Sequence, residues 1–329
     1  MNGMMSKFPQ AFAGKRLAVI GDFMLDRYLW GSVSRISPEA PVPIVEVEQE
    51  SEQLGGAANV AHNIAALGAQ PYPLGVVGDD ATGARLFALM QEAGFETEGL
   101  VIDGERPTTI KTRVIAHDQH VVRTDRESRQ PISALTQTLL QERLEALIPR
   151  LDGIVLEDYN KGVLVQPLLS KIIELANRHE VVITVDPKFD HFFDYRNVTV
   201  FKPNRKETEE ILAVKLKSAN DLQRAGKELL RRLACQNVLI TLGADGMALF
   251  LNDGSMHRIP TRAQRVHDVS GAGDTVIATL TVALAAGAKI LEAAVLANYA
   301  AGVVVGELGA VPIDKQKLIE AIRQHPWNE

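Results

Sequence analysis

The chain contains only one cysteine, Cys235, among its 329 residues. An internal disulfide, a structural zinc site and a two-cysteine redox motif are therefore excluded. Long apolar runs are also missing, because charged and polar residues divide the most apolar region, 275–305, into stretches too short for a bilayer. The N-terminus has no apolar stretch behind a basic one, so no secretory signal is predicted. We expect a protein of the reducing cytoplasm that does not enter a membrane.

Positive charge is in deficit, since 35 Lys and Arg against 41 Asp and Glu give a formal net charge of −6. Such a chain repels a polyanion, so nucleic acid is not an expected partner. A phosphate-bearing substrate would instead need a local cluster of cations and backbone N–H groups. Gly21-Asp22 after the first predicted strand lacks the Gly-x-Gly-x-x-Gly fingerprint, and no P-loop occurs. A dinucleotide-dependent dehydrogenase and a P-loop nucleotidase are therefore disfavoured.

Short β-branched runs alternate with segments of helical period, which is typical of a parallel sheet with crossover helices. The predicted strands are 17–20, 74–77, 154–156, 181–185, 198–201 and 238–241. The predicted helices are 59–67, 82–93, 135–148, 168–178, 206–212, 222–233, 273–286 and 291–305. Ligands bind at the carboxyl ends of such strands, so this edge is the candidate site. The polar residues expected along it are Asp22, Glu157, Asp158, Asp186, Asn204 and Gly243.

Two regions do not fit the alternation. Residues 42–47 form an extended, alternating segment after a proline-rich stretch, and 108–114 with 120–123 are typical of a hairpin. We expect a small secondary sheet, inserted at about 34–50 and 106–125 into a single α/β domain spanning 1–329. Such a sheet could be a lid over the site or a surface on which two subunits meet, which would make the protein a homodimer.

The segment Asp268-Val269-Ser270-Gly271-Ala272-Gly273-Asp274 leads directly into an apolar helix. Small residues leave N–H groups uncovered at a helix N-terminus, where an anion can bind. Asp274 could simply cap the helix. It could instead act as a general base on a hydroxyl while the amides of 271–273 stabilise a transferring phosphoryl group. We favour the second interpretation, because two glycines, a small spacer and the acid share one tight turn.

A glycine pair, Gly55-Gly56, precedes Ala57-Ala58-Asn59-Val60-Ala61 at a predicted helix start. Alone, such a pair could merely allow close helix packing. Together with 268–274, it resembles the two signatures of the ribokinase-like (PfkB) carbohydrate kinase family. The resemblance implies a ribokinase-like, doubly wound, mostly parallel sheet with a small β lid, and a kinase that uses ATP and Mg²⁺. It also implies catalytic roles for Asp274, Gly271, Ala272 and Gly273, and sugar contacts from Gly55, Gly56 and Asn59.

Three further segments resemble the same family. Asn204 and Glu207 match its Asn-x-x-Glu element, which implies Mg²⁺ held largely through water, although the spacing also suits a capping box. The segment 241–246 resembles its nucleotide loop, which implies ATP contacts from Thr241, Gly243 and Gly246; the alternative is a hairpin turn. Asn298 matches an adenine-side position, although one Asn on an apolar helix could be a packed polar group. A monovalent cation, K⁺, at Asp268 and Ser270 is a further implication.

Four further segments, most of them in the first half of the chain, resemble one group within this family, the kinase module of ADP-heptose synthesis. The matching segments are 21–28, 34–43, 158–162 and 186–188. The resemblance implies phosphorylation of D-glycero-β-D-manno-heptose 7-phosphate at its anomeric hydroxyl, for lipopolysaccharide precursors. The sugar hydroxyls would contact Asp22, Asp26 and Asp158. The phosphate would need cations, for which the candidates are Lys161, Lys188, Arg113 and Arg123.

Some features depart from that module. Glu157 stands where related modules often have a small polar residue, and Thr241-Leu242-Gly243 replaces their Thr-Arg-Ser. The His-x-Gly-His signature of the partner nucleotidyltransferase is missing, so a stand-alone kinase or the kinase half of a larger protein is expected. A kinase for another sugar or a nucleoside, and a sugar-binding regulator without catalysis, remain alternatives.

Overall fold

A computed structural model describes residues 8–117, 119–263, 266–307 and 309–327. The strands are β1 Arg16–Gly21, β2 Phe23–Ile36, β3 Pro43–Gly56, β4 Gln70–Gly78, β5 Leu100–Asp103, β6 Thr109–Ala116, β7 Gln119–Arg126, β8 Gly153–Glu157, β9 Val182–Asp186, β10 Val200–Phe201, β11 Asn237–Thr241, β12 Met247–Leu251 and β13 Met256–Ile259. The helices are α1 Phe8–Ala11, α2 Ala57–Ala66, α3 Ala81–Glu92, α4 Ala134–Leu147, α5 Leu168–Arg178, α6 Arg205–Leu212, α7 Ala219–Leu233, α8 Ala272–Ala285, α9 Ile290–Val304 and α10 Lys315–Gln324.

Nine strands form the large sheet, in the order β13-β12-β11-β10-β9-β8-β1-β4-β5. The run from β11 to β5 is parallel throughout, and β12 and β13 are added antiparallel at one edge. Because crossover helices cover both faces of a parallel sheet, two hydrophobic clusters form. Helices α2, α8 and α9 supply one cluster, and α4, α5 and α7 supply the other. The predicted mostly parallel, doubly wound sheet is confirmed.

Each predicted helix is present, with ends that differ by at most three residues. Helices α8 and α9 are buried around nearly their whole circumference, which explains why 275–305 is so apolar. No helix among the described residues combines the length and the apolar character needed to cross a membrane.

A second sheet of four strands, in the order β3-β2-β6-β7, is present as expected, and we call it the lid. Its first two strands differ from the expectation, because they extend over 23–36 and 43–56 rather than lying within 34–50. Segment 21–28 resembles a binding motif, so it was not also predicted to be part of a strand. The prolines at 38 and 41 lie in the connection between the two strands, where no ladder hydrogen bonds are needed.

The lid strands connect directly to the edge of the large sheet where ligands are expected. One residue, Asp22, separates β1 from β2, and β3 ends at Gly56 immediately before α2 begins. Gly56 adopts a φ of 55°, and a Cβ there would lie 2.6 Å from the Asp22 carbonyl oxygen. Glycine is therefore required where the chain turns from the lid into the helix.

Candidate active site

Asp274 lies in the first turn of α8, and its side chain is only 5% exposed. Its Oδ2 accepts a hydrogen bond from Asn59 Nδ2 at 2.7 Å, and its Oδ1 accepts one from the Tyr159 hydroxyl at 2.9 Å. The N-cap of α8 is Gly271, which no side chain caps. Asp274 is therefore not the helix cap, and its carboxylate instead faces partners from α2 and from the loop after β8.

Gly271 forms the corner of the turn that precedes Asp274. Its φ is 73°, in the left-handed region, and a Cβ at this position would lie 2.8 Å from Asn59 Nδ2. A side chain here would therefore be strained and would displace the amide that bonds Asp274. The turn of Gly271, Ala272 and Gly273 presents backbone amides at the start of a 14-residue helix, an arrangement that suits an anion.

Two more carboxylates lie beside Asp274 at the carboxyl ends of their strands. Oxygen atoms of Glu157, Asp186 and Asp274 all lie within 4.8 Å of one another. The Lys202 ammonium group, from a side chain 2% exposed, lies 2.7 Å from Asp186 Oδ2. Three acids and one cation leave an excess of negative charge in a buried volume, which favours protonation of one acid.

Burial raises the pKa of Asp274 to about 6, and the charge of Asp186 adds to the shift. The hydrogen bonds from Asn59 and Tyr159 oppose it, because they stabilise the ionised form. Burial, followed by the charges of Asp186 and Asp274, raises the pKa of Glu157 well above its usual value. The arrangement thus leaves Asp274 able to accept a proton at neutral pH. Glu157 is favoured in its neutral form by its acidic neighbours, and a cation beside it would favour its ionised form.

Asn204 and Glu207 form the capping box that their spacing suggested. Asn204 Oδ1 accepts from the Glu207 backbone N–H and Glu207 Oε2 accepts from the Asn204 backbone N–H, both at 2.8 Å. Glu207 Oε1 lies 2.5 Å from Lys188 Nζ. A metal role for this pair stays a prediction. Their oxygens are of the kind that Mg²⁺ prefers, but each already has a partner, so contact with the ion would run through water. Glu157 Oε2 is buried with no hydrogen-bond partner among the described residues, which suits a ligand oxygen.

A cavity of about 690 Å³ opens between these acids and the β11–β12 turn. The nucleotide candidates that line it are Asn204, Thr241, Gly243, Gly246 and Asn298. The turn at 243–245 connects antiparallel strands, so the hairpin interpretation is confirmed, and the same turn borders the cavity. Asn298 Nδ2 donates to the Pro260 carbonyl at 2.7 Å, so its amide also serves packing.

Lys188 and Lys202 line this cavity together with Asp274. Burial lowers the pKa of Lys188, but the charges of Asp186 and Glu207 outweigh it and the net shift is upward. Lys188 thus remains cationic in the cavity that the nucleotide candidates line. A contact of Lys188 with the sugar phosphate stays a prediction.

The sugar candidates Asp22, Asp26 and Gly55 lie on the lid strands or where these strands join the large sheet. Asp22 Oδ2 accepts from the backbone N–H groups of Tyr159 at 2.7 Å and Lys161 at 3.0 Å. Asp22 Oδ1 is buried and has no hydrogen-bond partner among the described residues. Asp26 Oδ1 accepts from Arg113 at 2.7 Å, and a Cβ on Gly55 would lie 2.8 Å from Asp26 Oδ2. Acceptors for hydroxyl groups are therefore concentrated here.

One face of the lid carries a cluster of cations near Asp26. Lys111 pairs in register with Asp26 on β2 and with Asp125 on β7, so the three side chains share that face. Lys111 Nζ lies 3.3 Å from Asp125, and Lys161 Nζ lies 2.8 Å from Glu127. Three ion pairs between an arginine and a carboxylate complete the cluster: Arg113 with Asp26, Arg123 with Asp125, and Arg129 with Glu127.

Two predicted residues make contacts that point to local structure. Asp158 accepts from the Tyr195 hydroxyl at 2.7 Å and from the Asn160 backbone N–H at 2.8 Å. Asp268 accepts from the backbone N–H groups of Ser270 at 2.9 Å and Gly309 at 3.1 Å. A sugar contact for Asp158 and a K⁺ site at Asp268 and Ser270 stay predictions.

Sequence reasoning did not identify Tyr159, Lys111 or Lys202 as site residues. Tyr159 does lie inside the matching segment 158–162, and Lys202 lies two residues before Asn204. The sequence alone could not place Lys111 beside Asp26, because the pairing of β2 with β6 joins segments that are distant in sequence. Only the sheet register brings these residues together.

The fold and site define a carbohydrate kinase. The family model described as "pfkB family carbohydrate kinase" matches residues 15–316, and the chain belongs to this family. Relatives named "Bifunctional protein HldE" include those of Helicobacter pylori strain J99, 43% identical over 95% of this chain, and of Desulfatibacillum aliphaticivorans, 42% identical over 96%. The chain spans 67% and 64% of the length of these two relatives.

Solved structures of low sequence identity show the same ribokinase-like fold. Arabidopsis thaliana ribokinase, complexed with ribose and ATP, has a TM-score of 0.72 and 18% identity, covering 94% of this chain and 99% of its own. Escherichia coli phosphofructokinase-2, in complex with fructose-6-phosphate, has a TM-score of 0.74 and 19% identity, with the same coverage. The protein is thus a sugar-kinase phosphotransferase with a ribokinase-like α/β fold.

Proposed function

We propose that this kinase transfers the γ-phosphoryl group of ATP to the anomeric hydroxyl of D-glycero-β-D-manno-heptose 7-phosphate. The product would be the 1,7-bisphosphate, a precursor for ADP-heptose and lipopolysaccharide. The observation that carries the reaction type is the buried Asp274, bonded by Asn59 and Tyr159 beside the amides of 271–273. The relatives named HldE and the resemblance of segments 21–28, 34–43, 158–162 and 186–188 support the sugar.

Asp274 takes the proton of the attacking hydroxyl, and that oxygen forms a bond to the γ-phosphorus as the bond to the β–γ bridging oxygen breaks. ADP leaves with the electron pair of that bond. Amides of Gly271, Ala272 and Gly273 stabilise charge on the transferring group. Lys188 and Lys202, which line the nucleotide cavity, add positive charge on the phosphate side. Asp22, Asp26, Gly55, Gly56 and Asn59 hold the sugar hydroxyls.

Mg²⁺, when bound, would neutralise charge on the β- and γ-phosphates. Asn204, Glu207 and the carboxylates of Glu157 and Asp186 would hold it, mostly through water. Each oxygen of Asp274 accepts one hydrogen bond and keeps one acceptor position, which the substrate hydroxyl can use. The lid covers the sugar and excludes water, since water would otherwise accept the phosphoryl group.

The charge of the lid cluster favours a sugar that already carries a phosphate. Its ion pairs join five cations to three carboxylates, a formal excess of two positive charges. A phosphate monoester carries about two negative charges at neutral pH. The cations are Lys111, Arg113, Arg123, Arg129 and Lys161. A nucleoside or an unphosphorylated sugar would leave this excess without a counter-charge.

A substrate panel tests the proposed acceptor. ATP is incubated with heptose 7-phosphate, fructose 6-phosphate, ribose and a nucleoside, and ADP release is followed. Phosphorus NMR then locates the new ester. We expect the highest kcat/KM for heptose 7-phosphate, with a new anomeric phosphate. Faster turnover of ribose or the nucleoside would indicate a PfkB-type kinase of another specificity. If none of the four acceptors gives ADP release, a sugar-binding regulator without catalysis is favoured.

We also propose that two copies associate through their lids. Apolar side chains are exposed on the lid strands and their connection: Ile36, Val42, Val47, Val121 and Val122. Val47→Glu combined with Val122→Glu is expected to convert a dimer to a monomer in light scattering after size exclusion. Leu135→Glu, an exposed leucine on α4, is the control and should leave the mass unchanged. A monomeric wild-type protein at micromolar concentration would contradict the proposal.

A further inference from the structure

Tyr159 contacts three parts of the site at once. Its backbone N–H donates to Asp22 Oδ2 at 2.7 Å, and its hydroxyl donates to Asp274 Oδ1 at 2.9 Å. Lys188 Nζ lies 5.2 Å from the centroid of its ring. One residue therefore connects the sugar side, the carboxylate at the start of α8 and a cation of the nucleotide side.

A carboxylate held by one donor can still rotate about its Cβ–Cγ bond. Asn59 bonds only Oδ2 of Asp274, and the Tyr159 hydroxyl bonds Oδ1, so the two donors together fix the carboxylate plane. Asn59 is itself held, because its own Oδ1 accepts from Asn63 Nδ2 at 3.2 Å. Each carboxylate oxygen has two acceptor positions, so one bond per oxygen leaves room for a substrate hydroxyl.

We infer that Tyr159 is a positioning residue for phosphoryl transfer, acting through Asp274. This inference rests on the proposed function of Asp274 as the base. A misplacement of about 1 Å at a reacting group can cost about 10²-fold in rate. The backbone of Tyr159 is fixed by Asp22, so its hydroxyl sets the distance from the base to the sugar side. The ring carries Lys188 on its face, a contact that does not depend on the hydroxyl.

The first test is Tyr159→Phe, which removes the hydroxyl and keeps the ring and the backbone N–H. We expect kcat to fall roughly 10- to 100-fold, the value of one hydrogen bond to a charged group. The KM values for the sugar phosphate and for ATP should stay nearly unchanged, because the hydroxyl hydrogen of Tyr159 is already donated to Asp274. Titration calorimetry with ADP counts competent sites, so rates refer to folded enzyme.

A double-mutant cycle with Asp274→Asn separates positioning from general stability. If Tyr159 acts through Asp274, Tyr159→Phe should have no further effect on kcat in the Asp274→Asn background. Tyr195→Phe is the matched control, because it removes another buried tyrosine hydroxyl from a carboxylate, that of Asp158. Its effect, of any size, should be the same in both backgrounds.

Additive effects of Tyr159→Phe in the two backgrounds would overturn the inference, and so would a change confined to the sugar KM. A loss of folded protein would lower the apparent kcat equally in both backgrounds and would therefore mimic an additive effect. Dividing each rate by the number of sites counted by calorimetry removes this contribution. Near-normal turnover of Asp274→Asn would instead reject the base itself. Failure of the positioning role and failure of the proposed function are therefore distinguishable.

Discussion

Asp274→Asn should lower kcat by a factor on the order of 10²–10⁴, the range for removal of a positioned general base. The amide keeps the shape of the side chain but cannot accept the hydroxyl proton. Binding of ADP and of the sugar phosphate should persist, because the anion turn of 271–273 and the acceptors Asp22 and Asp26 are unchanged. Stopped assays of ADP release and calorimetry of both ligands measure the two quantities.

The pH dependence gives this prediction a second readout. The pKa of Asp274 is raised to about 6, so the carboxylate gains a proton as the pH falls through that value and can no longer act as a base. We expect kcat/KM to decline about tenfold per pH unit below about pH 6. Burial also raises the pKa of Asp22 to about 6. If Asp274→Asn retains the acid limb, the limb belongs to Asp22 or another group.

Asp190→Asn, an exposed acid in the loop after β9, is the matched control for an acid-to-amide change. It should keep wild-type kcat and the wild-type pH profile. Turnover of Asp274→Asn within a few-fold of wild type would contradict the role of the base.

The second large effect concerns the lid cluster. Replacing both Lys111 and Lys161 by Ala should raise the KM for heptose 7-phosphate by a factor on the order of 10–10², because each ammonium would lose a charge-assisted contact to the phosphate. The KM for ATP should not change, since neither lysine lines the cavity of the nucleotide candidates. Steady-state kinetics with the phosphorylated and the dephosphorylated heptose measure the difference.

Lys15→Ala provides the control, because Lys15 also pairs with a carboxylate, Asp152, but lies before β1 at the opposite edge of the sheet. It should leave both KM values as they are. An equal effect of the double variant on the phosphorylated and dephosphorylated sugars would place the phosphate elsewhere. Substitution of both lysines by Arg should recover part of the affinity, because the charge is kept.

Much of the fold follows from local patterns in the sequence. Alternating β-branched and helical segments are sufficient for the parallel sheet, because each strand of the sheet is buried on both faces and reads as an apolar run. The glycine turns at 55–56 and 271–273 could be located because left-handed or crowded backbone requires glycine. The strand over 23–36 escaped prediction, since its first four residues are all buried and the alternation of a half-buried strand is missing there.

The site was predictable where one segment carries both partners, and less so where partners are distant in sequence. The capping box of Asn204 and Glu207 could be derived from a spacing of three residues. The bond from Tyr159 to Asp274 and the pairing of Lys111 with Glu127 depend on tertiary packing that no local pattern encodes. For the same reason no local pattern indicates that Lys188 lines one cavity with the nucleotide candidates.

The attachment of the lid has a mechanical consequence. Its two longest strands have 14 residues each, which corresponds to an arm of about 45 Å. Both arms are anchored at predicted sugar contacts, one at Asp22 and the other at Gly55 and Gly56. A turn of about 10° at these anchors would sweep the far tips through roughly 8 Å, given that arm length. Small rotations at these anchors would therefore produce large movements of the strand tips. Such movements would open or close the entrance between the lid and the large sheet.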